Sequence, residues 1–367
     1  MSRFKVGVIG TGMAFEKLHY PAYKQLGDYY QISALCDVDE EKALFWAKRL
    51  QITGEHVYGD FEKMLENEHL DVVDIMVPIE LNFQITEAVA RHLAGKGKGI
   101  ICEKPLAPNL EQAEEARRLP EKYGLPIMIA ENYRYNQEVG IIRDLIRTEK
   151  IGAVHYFLQN RIVNFPEDMW QNQFPAREWR QYPTYPGGAL TDTALHDLAA
   201  LRHIFGAIDK LQSFGRPQEA SYSPYSVVQV NLLFKNGITG HFTFFCAGKE
   251  MQRPLTGLRI FGTEGMIFLE ERDAGVINLA LNNGQTEQIP FQPQQGYYNE
   301  LLNFHRALTG SEPISVTPEM EFGDLKTIQC ILQSIAEERV INVDEIAEYQ
   351  PDYGQQFVHG EESPFLH

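Results

Sequence analysis

Over the first 130 residues, short β-branched runs alternate with segments whose apolar residues recur every three or four positions. The runs 4–9, 31–36, 71–77, 99–102 and 126–130 read as strands. Between them, 40–50, 81–94 and 110–123 carry the periodicity of amphipathic helices. Strand–helix alternation with short gaps predicts a doubly wound parallel sheet covered on both faces.

After about Glu131 the pattern changes. Residues 226–235 and 238–246 alternate apolar with polar positions and meet at Asn236-Gly237, a strong hairpin signal. A second hairpin is expected from 257–261 and 266–269 across Thr263-Glu264-Gly265. A third comes from 276–281 and 286–291 across Asn282-Asn283-Gly284. Helical patterns occupy 192–205, 297–308 and 317–338, the last as one helix or a pair. The expected fold class is α/β: a parallel doubly wound domain over 1–131, then an α+β domain over 132–345 with a large, mostly antiparallel open sheet. Residues 346–367 form a polar tail with scattered aromatics, either a docked arm or a disordered end.

Composition narrows the function classes. At 367 residues two domains are the natural expectation, and 44% hydrophobic with 23% charged residues is an ordinary globular mix. Fifty acidic against 33 basic residues give a net charge of −17, which argues against nucleic-acid partners and anionic membranes. Cys36, Cys102, Cys246 and Cys330 are scattered, without metal-ligand spacing. No charged-then-apolar leader and no membrane-length apolar run is apparent, so a reducing cytoplasm is expected.

The first strand runs into Gly10-Thr11-Gly12-Met13-Ala14-Phe15 and then a helix. In a dinucleotide (Rossmann) fold, the first glycine allows the tight turn. The second lets backbone amides approach a pyrophosphate seated on the helix N-terminus. Phe15 stands where a third glycine is usual, which implies a looser first turn or a helix set further from the strand. The second strand ends at Asp37, 25 residues after Gly12, where an acid meets a ribose 2′-hydroxyl. An ionised Asp37 repels a 2′-phosphate and no basic residue follows closely. NAD is therefore preferred, with NADP possible.

Glu103-Lys104-Pro105 places a lysine just beyond the carboxyl end of a buried strand, where open α/β sheets bind ligands. A solvated strand-end lysine is the alternative. Asp192 and His196, four apart after Gly187-Gly188, share one helical face, so the carboxylate can orient a proton-transferring imidazole. The alternative is a surface ion pair.

Taken in order, G-x-G, the strand-end Asp, Glu-Lys-Pro, Asn132-Tyr133-Arg134, Trp179-Arg180, Gly-Gly and Asp-x-x-x-His resemble the Gfo/Idh/MocA oxidoreductases. That family includes glucose–fructose oxidoreductase-like and inositol dehydrogenase-like enzymes. The resemblance runs from about residue 3 to 343. It implies cofactor contacts at Gly10, Gly12, Met13, Ala14, Phe15, Asp37, Glu103, Lys104 and Asn132, and at Pro78, Glu80 and Asn82 in the loop after the fourth strand. The family often has histidine at the place of Asn82. It implies catalysis by Lys104, which binds the reacting hydroxyl, by the proton-transferring His196 and by the nearby acid Asp192. Arg134, Trp179 and Arg180 join these three in lining the substrate pocket, although Asn132 and Arg134 could equally tie a hinge between domains.

The expected activity is hydride transfer between the nicotinamide and a secondary alcohol or ketone of a sugar, sugar derivative or cyclitol, without a metal. An NAD-dependent glycosidase using transient oxidation is the alternative, and a non-catalytic dinucleotide-sensing regulator a third. A homodimer or homotetramer is expected through the second-domain sheet, whose outer face must be covered; the run Ile238 to Phe245 offers apolar surface.

Overall fold

The computed structural model describes residues 3–165, 178–248 and 253–343. The chain divides into two compact units. The first comprises Met1–Glu131, Thr184–Pro186 and Tyr297–Leu325; the second comprises Asn132–Pro183, Gly187–Gly296 and Lys326–His367.

The first unit is built on six parallel strands: β1 (Phe4–Ile9), β2 (Tyr30–Cys36), β3 (Val57–Tyr58), β4 (Val72–Ile75), β5 (Gly99–Glu103) and β6 (Ile127–Ala130). Their order is β3-β2-β1-β4-β5-β6, the doubly wound arrangement in which ligands bind beyond the carboxyl ends at the β1/β4 switch point. The four residues of β4 and five of β5 are all buried, as in strands covered on both faces. The two-residue edge strand β3 was not anticipated. The expected helix over 110–123 is two helices, Leu110–Ala116 and Leu119–Tyr123. Pro120 sits in the first turn of the second, where its missing N–H costs nothing; inside one continuous helix it would break a hydrogen bond.

Residues 297–325 pack with the first unit, whereas the sequence placed them in the second domain. The helix Gly296–Leu308 buries Leu301 and Phe304 completely. Tyr30 donates its hydroxyl to the Leu301 carbonyl at 2.8 Å, and the Ile129 amide donates to Val316 O at 3.1 Å. Gly99 makes room for the helix, since a Cβ there would lie 2.7 Å from the Phe304 ring.

The second unit carries nine strands: β7 (Val154–Ile162), β8 (Ile208–Ala220), β9 (Ser223–Phe234), β10 (Thr239–Phe245), β11 (Leu258–Gly262), β12 (Gly265–Leu269), β13 (Val276–Leu281), β14 (Thr286–Pro290) and β15 (Ile341–Asn342). Their order is β14-β13-β12-β11-β7-β10-β9-β8-β15. Every neighbouring pair in this order is antiparallel except β7 with β10. The three expected hairpins are present as β9–β10, β11–β12 and β13–β14. The pattern over 317–338 is a single helix, Pro318–Glu337.

The inner sheet face packs on the helix Leu195–Phe205, with Phe157 stacked on Phe205 at 4.6 Å. Period-2 geometry sends Phe242 and Phe244 of β10 to this core. The outer face of β10 is therefore Thr239, His241, Thr243 and Phe245, mostly polar where an apolar surface was expected from that run. Further apolar surface comes from Tyr156 and Leu158 of β7, both exposed. With Leu233 and Val340 they line a shallow trough of about 460 Å³. The C-terminal tail lies outside the described residues. Among those described, no helix is long and apolar enough to cross a membrane.

Candidate functional site

In the first unit the glycine turn follows β1 directly. Gly10 has φ +93°, and a Cβ there would sit 2.1 Å from the Met76 carbonyl oxygen, so glycine is required twice over. A Cβ on Gly12 would meet nothing within 4 Å, which leaves the backbone open to a ligand. Helical backbone begins at Met13 and passes into a π-helical turn over Phe15–His19. This is the looser first turn that Phe15 implies. Its ring is fully buried, edge-on to Trp46 at 5.0 Å, so only the Phe15 backbone faces the turn. Asp37 Oδ2 accepts from the Thr11 amide at 2.8 Å and hydroxyl at 3.0 Å, while Oδ1 accepts from the Asp39 amide at 3.0 Å. Two carboxylate oxygens offer about four lone pairs, so capacity remains for a ribose hydroxyl. The turn, the open Gly12 face and this acid fit a dinucleotide.

The Glu-Lys-Pro turn is held by buried groups. Every residue from Gly99 to Ala107 is buried except Lys104. The Lys104 amide donates to Glu103 Oε2 at 3.1 Å. The Asn82 side-chain amide donates to the Glu103 carbonyl at 3.0 Å and the Pro105 carbonyl at 2.7 Å, bracketing the lysine. Asn82 thus acts on the backbone of this turn. Pro78 and Glu80 open the helix Ile79–Leu93 instead of lying in a loop, and Glu80 Oε1 accepts from the Thr184 hydroxyl at 3.0 Å.

Behind the turn lies a buried ionic cluster that the sequence did not reveal. His19 is fully buried, with Nδ1 2.8 Å from Asp74 Oδ2 and Nε2 3.0 Å from Glu103 Oε1. Tyr23 donates its hydroxyl to the same Asp74 oxygen at 2.8 Å. Burial works to neutralise the imidazole, but the Asp74 and Glu103 carboxylates prevail and hold its pKa well above 6.5. Glu300, also fully buried, has no hydrogen-bond partner for either carboxyl oxygen among the described residues. Burial pushes its pKa well above 4.5; His19 opposes this, while Glu103, Asp74 and Glu131 reinforce it. The cluster thus sets a histidine whose charged form is favoured by Asp74 and Glu103 beside a glutamic acid whose neutral form is favoured by burial.

In the second unit, Gly187-Gly188 leads into a π-helical turn, Leu190–Ala194, continued by the helix Leu195–Phe205. Every residue from Leu190 to Phe205 is buried except His196. Asp192 Oδ2 accepts from Arg180 Nε at 2.8 Å, which ties two expected substrate residues together. Arg180 lies in the short helix Glu178–Gln181; the Trp179 side chain falls outside the described residues. Arg134 is fully buried near His203. Burial lowers the His203 pKa well below 6.5, with Arg143 and Arg134 adding to the effect. Asn132 is buried as well. Between them Tyr133 is half-buried and stacks on His196, centroids 4.5 Å apart and planes 20° apart. Among the described residues no three His, Cys, Asp or Glu side chains are grouped to hold a metal ion.

Comparison with known proteins agrees with this anatomy. Residues 4–131 match the family model "Oxidoreductase family, NAD-binding Rossmann fold", and residues 143–343 match "Oxidoreductase family, C-terminal alpha/beta domain". An uncharacterised protein of Saccharomyces cerevisiae, YMR315W, is 29% identical over 92% of this chain and 97% of its own length. An NADP(+)-named D-xylose 1-dehydrogenase of Haloarcula marismortui is 26% identical over 93% of each chain. A levoglucosan dehydrogenase solved in complex with NADH superimposes with a TM-score of 0.83 at 20% identity, covering 94% of this chain and all of that one.

Proposed function

Because the chain belongs to the Gfo/Idh/MocA oxidoreductase family, we propose that it moves a hydride between a nicotinamide dinucleotide and a secondary alcohol or ketone of a sugar, sugar derivative or cyclitol. One observation carries the reading. In each unit the signature stretch is buried apart from one titratable side chain: Lys104 within 99–107 and His196 within 190–205. A fixed, desolvated scaffold around a single reachable group is what proton transfer and charge stabilisation require.

When bound, the nicotinamide accepts the hydride in oxidation and supplies it in reduction. In the oxidative direction His196 takes the hydroxyl proton while the Lys104 ammonium stabilises the developing alkoxide. Asp192 orients His196, and Arg180, bonded to Asp192 Oδ2, supplies donors for substrate hydroxyls. Gly10, Gly12, Met13, Ala14 and the Phe15 backbone cradle the pyrophosphate. Asp37 takes the ribose 2′-hydroxyl, and Val38, 94% exposed, is followed by three acids, with the next basic residue, Lys42, already paired with Asp39 at 2.9 Å; this favours NAD. The D-xylose activity of the Haloarcula relative supports a carbohydrate substrate. A second copy of the chain covers the trough around Tyr156 and Leu158 in a homodimer or homotetramer. All four cysteines are buried and none forms a disulfide, which supports a reducing cytoplasm.

The test is turnover of NAD and NADP across aldoses, sugar acids, amino sugars and inositols, followed by Lys104→Ala on the best substrate. Loss of about 10²–10³-fold in kcat is expected, the scale for removing one charge-stabilising donor. Near wild-type turnover by that variant would overturn the assignment. Release of a glycosidic leaving group without net NADH would transfer the same residues to the glycosidase reading.

A further inference from the structure

His196 needs more than exposure to move a proton: its ring nitrogen must point along the bond being formed. Torsion about the Cβ–Cγ bond of histidine is broad, so an unrestrained imidazole samples many orientations. Here the ring lies against Tyr133, centroids 4.5 Å apart and planes 20° apart. Tyr133 is itself held. The Arg272 guanidinium carbon sits 4.2 Å from its ring centroid, and Arg161 lies 5.7 Å away and hydrogen-bonds the Tyr133 side chain.

Arg272 has little freedom either. It donates to Asp197 Oδ1 at 2.8 Å and pairs with Glu138 at 3.5 Å. Asp197 is fully buried, also accepts from Gln159 Nε2 at 2.8 Å, and is the residue next to His196. A closed circuit results. The backbone joins His196 to Asp197, an ion pair joins Asp197 to Arg272, a cation–π contact joins Arg272 to Tyr133, and the stack returns to His196.

We propose that Tyr133, clamped by Arg272, is the positioning residue that fixes the imidazole plane of His196 for proton transfer. The inference rests on the reading of His196 as the proton-transfer group. Tyr133 itself exchanges no proton with the substrate; it supplies a flat surface whose own plane is set by a buried ion pair. Phenylalanine should therefore serve in its place, although the Arg161 contact is lost, and leucine should not. Arg272→Lys keeps the charge toward Asp197 but removes the planar group over the ring.

The experiment compares Tyr133→Phe, Tyr133→Leu and Arg272→Lys in the full chain. Tyr133→Leu is expected to lower kcat about 10- to 100-fold, the scale of a misplaced catalytic group, with KM for the dinucleotide and melting temperature near wild type. Tyr133→Phe should restore most of the rate, and Arg272→Lys should fall between. Independently of turnover, NMR of histidine-labelled protein, with His196→Gln for assignment, should show ring-current-shifted His196 signals. Those signals should move to ordinary positions in Tyr133→Leu and stay shifted in Tyr133→Phe. An unchanged kcat in Tyr133→Leu, with its His196 signals moved, overturns the positioning role and leaves the proposed function standing. Unshifted His196 signals in the wild type overturn the stack itself. Full turnover in His196→Gln overturns the proposed function, while the signals still report the stack.

Discussion

Replacing Glu300 with glutamine should stabilise the protein, and increasingly so as pH rises from 4.5 to 6.5. The carboxyl is fully buried, lacks hydrogen-bond partners among the described residues, and is held well above 4.5 mainly by burial. In the unfolded chain the same group ionises near its ordinary value. A raised native pKa means stability is fully present below about pH 4.5 and declines as pH climbs through the native value. The decline is about 1.4 kcal/mol per pH unit while the native group stays protonated and the unfolded one does not. Glutamine titrates in neither state, so the variant escapes this slope. Each pH unit over which the native group stays protonated separates the two proteins by roughly 3–6 °C in melting temperature for a domain of this size. The window isolates Glu300, because His19 begins to contribute a slope only above about pH 6.5, its unfolded value. The raised carboxyl of Glu138 remains in both proteins and cancels. Calorimetric melting of wild type and Glu300→Gln at half-unit steps from pH 4.5 to 6.5 reads the effect directly. Parallel curves across that interval would refute the reasoning, because they would mean the native carboxyl is ionised.

His19→Gln removes the cation between Asp74 and Glu103 and should cost about 3–5 kcal/mol at pH 6, read as a lower urea midpoint. His19 stabilises fully below about pH 6.5 and less as pH rises through its raised native pKa, so the gap between variant and wild type should narrow at alkaline pH. Asp37→Ala should raise KM for NAD and improve kcat/KM for NADP; unchanged cofactor preference would remove Asp37 from the ribose site. Leu158→Glu places a charge in the sheet-face trough and should convert an oligomer to a monomer by light scattering, whereas a monomeric wild type would dismiss the interface.

The parts of the fold that announce themselves do so through period and punctuation. β1 and the helix Glu40–Leu50 match their expected bounds because an apolar run and an amphipathic repeat are each bounded by turn residues. The hairpins were legible from glycine-containing turns between alternating strands. β8 was not, because Asp209, Lys210, Gln212, Gly215 and Arg216 to Glu219 leave little apolar alternation over most of its length, and Pro217 argues against a strand. β3 is too short to show a period. The return of residues 297–325 to the first unit depends on contacts such as Gly99 with Phe304, which no local pattern records. Lys104 and His196 stood out because they sit in short motifs. Their supports did not: Asn82 shows only a departure from the frequent histidine, His19 reads as one helical position among others, and Tyr133 lay unremarked between Asn132 and Arg134. Arg272 is in a turn with no motif at all.

These supports differ in kind, and the difference has consequences. The group behind Lys104 is buried and ionic: His19 between Asp74 and Glu103, beside Glu300, whose pKa burial raises. Such clusters carry a large desolvation cost, and removing one member exposes the others to it. Substitutions of His19, Asp74 or Glu103 should register first as lost stability, with any effect on Lys104 transmitted through Glu103, whose carboxylate holds the lysine amide. The support of His196 is a half-exposed aromatic ring under a guanidinium, where truncation costs little stability yet frees a torsion. Substitution of Tyr133 should therefore register in kcat before it registers in melting temperature. The same chain thus separates two ways of fixing a reactive side chain, one that stabilises the fold and is sensitive to pH, and one that restricts orientation with little bearing on folding. Measuring rate and stability together for His19→Gln and Tyr133→Leu distinguishes them, because the ratio of the two losses should run in opposite directions.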